Sequence, residues 1–126
     1  MSAVLVTSDL MVASRVTSVA KEISLPIVVV AQCDAAVQQA IESAARVMLV
    51  DLAMPGLQTA EWVSQLRGPG VWAGAIIAFG PHVDEAGLES ARRAGCDKVL
   101  ARGQFLNQLA AILLPYVRLK LAEHER

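Results

Sequence analysis

Five short apolar runs recur along this chain at nearly even intervals, and a helical stretch follows each one. The runs are Ala3–Thr7, Pro26–Ala31, Arg46–Asp51, Ala75–Phe79 and Lys98–Ala101. Short apolar runs rich in β-branched residues read as strands buried on both faces. In the first intervening stretch Val12, Val16, Val19 and Ile23 recur at helical spacing. In the second, Val37, Ala40, Ile41 and Ala44 are expected to face inward, with Asp34 as N-cap. The third helix is short, from about Thr59 to Arg67, and closes at Gly68-Pro69-Gly70. The fourth is capped by Asp84, stapled by Val83 on Leu88, and ended by Gly95. A fifth begins near Gln104 and turns Leu106, Leu109, Leu113 and Val117 to the core. Pro115 ends or kinks it, because proline lacks the donor and clashes one turn back.

This alternation predicts an α/β fold: a doubly wound, five-stranded parallel sheet with helices on both faces. Flavodoxin-like order 2-1-3-4-5 is expected, with the third strand central. Chemistry in such sheets gathers at the carboxyl ends of the strands. The residues to examine are therefore Thr7, Ser8, Asp9, Asp51, Gly80 and Arg102.

Composition narrows the function classes. The 126 residues are 55% hydrophobic, yet no run approaches the ~20 apolar residues that span a bilayer. No signal-peptide pattern opens the chain, and a cytoplasmic location is expected. A net charge of −1 offers no field for nucleic acid. Cys33 and Cys96 lack metal spacing and read as buried free thiols. The turn Thr7-Ser8-Asp9 has no glycine, which argues against a nucleotide or flavin cradle. His82 has no nucleophile or second base at recognisable spacing and reads as a loop side chain. Trp62 and Trp72 read as packing residues.

Asp51 ends the apolar run Val47-Met48-Leu49-Val50, and Met54-Pro55-Gly56 turns the chain just after it. The segment Val50-Asp51-Leu52-Ala53-Met54-Pro55 resembles the phosphate-acceptor segment of response-regulator receiver domains. Arg93-Ala94-Gly95-Cys96-Asp97-Lys98 resembles the family's Ala-Gly segment before the last strand, and Glu61 falls where the family often has an acid. The resemblance covers residues 1–126 as one receiver-like domain, with 121–126 expected to be a polar tail; the domain is either a stand-alone regulator or part of a longer protein.

The resemblance implies that Asp51 is the acceptor equivalent, and that two acids, a hydroxyl and a lysine should surround it. This chain departs from that pattern. Thr7-Ser8 replaces the acid pair, and Asp9 is one residue late and suited to capping the first helix. Gly80 replaces the hydroxyl residue, Val99 the aromatic switch, and Arg102 the lysine. Arg102 either pairs with Asp51 or faces solvent. With the acid pair gone, no metal ligand set and no cofactor are expected, and magnesium is at most weakly held. The expected function is non-enzymatic: a degenerate receiver acting through an unidentified protein partner. The outer surface of the fourth and fifth helices, near Tyr116 and Leu119, is a possible homodimer face. The alternatives are a working regulator phosphorylated on Asp51 and, less favoured, a small flavodoxin-like enzyme.

Overall fold

A computed structural model describes residues 2–117. Leu119 and the polar tail lie outside the described residues.

Strands β1 (Ala3–Val6), β2 (Ile27–Val30), β3 (Val47–Asp51), β4 (Ala75–Gly80) and β5 (Lys98–Ala101) form one parallel sheet in the order β2-β1-β3-β4-β5. Helices α1 (Leu10–Glu22), α2 (Cys33–Glu42), α3 (Thr59–Leu66), α4 (Glu85–Ala94), α5 (Arg102–Asn107) and α6 (Leu109–Leu113) cover both faces. This is the expected doubly wound, flavodoxin-like arrangement.

Side chains alternate across a strand, so each central strand feeds two cores. Ala3, Leu5, Val47, Leu49, Ile77 and Phe79 pack with α1, α5 and α6. Val4, Val6, Met48, Val50, Ile76 and Ala78 pack with α2, α3 and α4. Phe79 and Phe105 stack at 4.1 Å between ring centroids with planes 5° apart, which seats α5 on β4. Such a pair adds about 0.5–1.5 kcal/mol beyond its buried area.

Helix ends follow local chemistry. Asp9 caps α1, its carboxylate accepting from the Met11 and Val12 N–H groups. Asp84 caps α4 through the Gly87 N–H. Gly95 ends α4 at φ 103°, a left-handed conformation in which a side chain is strained.

Several expectations need correction. The N-cap position of α2 is Gln32, with no side-chain cap bond, and Asp34 sits in the first turn. The α2 face that packs inward is Ala36 and Ala40; Ile41 and Ala44 are exposed. Val83 is 78% exposed, so it does not staple α4. The last helix starts at Arg102 rather than Gln104 and breaks at Gln108, which brings Phe105 and Ile112 inward beside Leu109 and Leu113. Leu106 and Val117 only flank that core. The α-helix stops at Leu113, and Pro115 lies in a 3-10 turn over Leu114–Tyr116. Cys33 and Cys96 are unpaired but only half-buried.

Opposite the carboxyl edge, Arg67 ties three elements together. Its guanidinium donates to the Gly74 carbonyl and to Asp97, both at 2.6 Å. Asp97 also accepts the Ile76 N–H at 2.7 Å. Trp72 donates to the Ala45 carbonyl at 2.7 Å, and Trp62 to the Cys33 carbonyl at 3.0 Å. Both indoles are packing residues, as expected.

Candidate functional site

The site follows from strand register. Val6 pairs with Val50, so the next residues, Thr7 and Asp51, end neighbouring strands side by side. Both continue the alternating row that faces α1 and α5, and both are buried, Thr7 at 2% and Asp51 at 3% exposure. A buried carboxylate must find donors.

Asp51 finds three. The Thr7 hydroxyl donates to Oδ2 at 2.8 Å. The Ala53 N–H, in the turn that follows, donates to Oδ1 at 2.9 Å. Arg102, at the start of α5, brings Nη2 to 3.8 Å from Oδ1. That separation is an ion pair without a hydrogen bond. The Arg102 Nε is buried and has no hydrogen-bond partner among the described residues. Of the two alternatives for Arg102, the structure has the pairing one.

Thr7 serves two elements. Its hydroxyl oxygen accepts the Asp9 N–H at 3.1 Å, so the start of α1 is linked through Thr7 to Asp51. Asp9 itself is committed to the α1 cap. Ser8 is exposed and makes no side-chain bond among the described residues.

Gly80 lies at the end of β4 under Leu52. A Cβ at residue 80 would sit 3.2 Å from the Leu52 Cβ, 3.4 Å from its Cδ1 and 3.7 Å from the Leu88 Cδ2. Leu52 is fixed there by its N–H bond to the Phe79 carbonyl at 2.8 Å. Val99 is half-buried and packs on the α2–α4 side of the sheet. His82 is exposed and has no side-chain bond among the described residues.

Thus the structure gathers Thr7, Asp51 and Arg102, places Gly80 nearby under Leu52, and leaves Ser8, Asp9 and Val99 outside the carboxylate's contacts. Sequence reading missed Leu52 and the Ala53 N–H. Both follow Asp51 directly, and the signal was the tight turn at Met54-Pro55.

The chain has the receiver fold. It superposes on a response-regulator receiver domain from Bermanella marisrubri with a TM-score of 0.80, at 21% identity, over 94% of this chain and 100% of that one. The receiver domain of a sensor histidine kinase from Pseudomonas aeruginosa PAO1, with a magnesium ion coordinated in its active-site cleft, gives 0.78 at 20% identity over 91% and 95%. The beryllofluoride-activated N-terminal receiver domain of RstA from Klebsiella pneumoniae gives 0.78 at 19% over 94% and 100%. No family model and no curated protein sequence matches the chain. Among the described residues no helix is long and apolar enough to cross a membrane.

Proposed function

We propose that this chain is a signalling module of receiver fold that works through protein contacts, without ordinary magnesium-dependent phosphotransfer on Asp51. The observation that carries this reading is the bonding of Asp51: each oxygen already has a protein donor, and the nearby cation is Arg102. Magnesium wants octahedral oxygen ligands, usually with one or two carboxylates and several waters. Among the described residues Asp51 has no second carboxylate bonded beside it, and Asp9 is engaged by the first turn of α1. Among the described residues no cluster of three His, Cys, Asp or Glu could hold a metal. The residues present do not fit a magnesium ion.

The rest of the pocket supports the same reading. Gly80 offers no hydroxyl, and Leu52 fills the space above it. Arg102 sets a planar guanidinium beside Asp51 in place of a compact ammonium. The module therefore signals by what it binds. The outer surface of α4 and the last helices, where Leu114 is 54% exposed, is one face open to a second copy.

Incubation with a small phosphodonor and Mg²⁺, read by intact mass, tests the proposal. The expected result is an unchanged mass. An added phosphoryl group that disappears in Asp51→Asn would overturn it in favour of a working phosphoacceptor.

A further inference from the structure

Beside the strand ends, a hollow of about 490 Å³ opens between the start of α2 and the β3–α3 turn. A narrower trough of about 120 Å³ continues it along α3, and Cys33, Asp34 and Gly56 line both. Neither hollow includes Asp51, so the groove is separate from the acceptor-like site.

Met54 and Trp62 are buried beneath it and Leu57 is half-buried, so the surface it offers is at least as polar as apolar. Its width is preset, because the Trp62 indole N–H on α3 is bonded to the Cys33 carbonyl on α2 at 3.0 Å. Largely pre-formed hollows with a few placed polar groups are a common form of binding site.

Charge decides the class of occupant. Asp34 and Glu61 line the groove, and among the described residues no Lys, Arg or His does. Each of the two helices starting here contributes roughly +0.5 charge at its N-terminus. Two carboxylates outweigh that, so the groove is negative by about one charge. Gln32, Gln58 and Gln65 add amides, which both donate and accept and so match a peptide main chain.

We propose that this groove holds an extended basic segment of a protein partner, with a Lys or Arg side chain against Asp34 and Glu61 and its main chain along the glutamine amides. The inference rests on the reading of the chain as a protein-contact module and names the chemistry of the contact. Acidic peptides and nucleic acid are disfavoured by the same charge.

The test is fluorescence polarisation with a labelled hexapeptide of alternating alanine and arginine, on the whole chain. Saturable binding is expected. It should fall at least tenfold in D34K/E61K, and severalfold in the milder D34N/E61Q, with folding checked by circular dichroism. The control E22K/E85K changes net charge equally, away from the groove, and should stay within twofold of wild type. Bound peptide should also slow alkylation of Cys33 relative to Cys96. No saturable binding at millimolar peptide, an equal loss in the control variant, or equal binding of an alanine–glutamate hexapeptide would each overturn the proposal. Phosphorylation of Asp51 would overturn the preceding reading and leave this binding result unaffected.

Discussion

Thr7→Val removes one hydroxyl and keeps the shape of the side chain. In the folded protein that hydroxyl donates to the buried Asp51 carboxylate at 2.8 Å and accepts the Asp9 N–H at 3.1 Å. A hydrogen bond to a charged group contributes about 1.5–3 kcal/mol, and a neutral one about 1 kcal/mol. The methyl group that replaces the hydroxyl returns ~0.8 kcal/mol through burial. A net loss of about 2 kcal/mol is expected. With a urea dependence of about 2 kcal/mol per molar, the unfolding midpoint should fall by roughly 1 M. The substitution should be made in wild type and in Asp51→Ala. In the second background only the Asp9 bond remains to be lost, so the cost should shrink by about 1.5 kcal/mol or more. A loss below about 0.5 kcal/mol in wild type, or the same loss in both backgrounds, would refute the account of Thr7 as a donor to Asp51.

Two further outcomes can be checked on stability alone. A Cβ at Gly74 would overlap the Trp72 ring, so Gly74→Ala must displace the indole from its bond to Ala45; a loss of about 1–3 kcal/mol is expected, with a shift in tryptophan fluorescence. Burial raises the Cys96 thiol from 9.0 to about 11, with Asp97 adding to it and Arg67 opposing. The thiol's folded value exceeds its unfolded one, so its contribution is full below about pH 9 and is lost as pH rises towards 11. The wild-type urea midpoint should decline across that window more steeply than that of Cys96→Ser.

Much of the fold was legible because its strands are unbroken apolar runs and its helix ends use polar caps. Asp9, Asp84 and Gly95 sit where cap chemistry puts them. The misreadings share a cause. Helix α2 turns Ala36 and Ala40 inward, and a search for larger apolar side chains passes over alanine in favour of Ile41. In the last helix, the break at Gln108 shifts the inward face to Phe105 and Ile112, which no single helical period predicts. At the site, Asp51 stood out because a carboxylate closing a buried run is costly. The Thr7 bond required knowing that β1 and β3 are neighbours in register, a consequence of topology and not of local pattern. The Arg102 approach depended on where α5 begins, two residues earlier than its apolar spacing implies.

The seating of Leu52 over Gly80 makes the order of any substitutions matter. A serine placed first at residue 80 would press its Cβ against Leu52 at 3.2 Å, and overpacking of that kind costs about 1–3 kcal/mol. Trimming Leu52 first would remove its packing over Gly80, with no hydroxyl yet present to repay the loss. Each single step lowers stability before any new chemistry is gained. Packing in this way couples the far wall of the pocket: residues 52 and 80 are best exchanged together, whereas the exposed Ser8 can change alone.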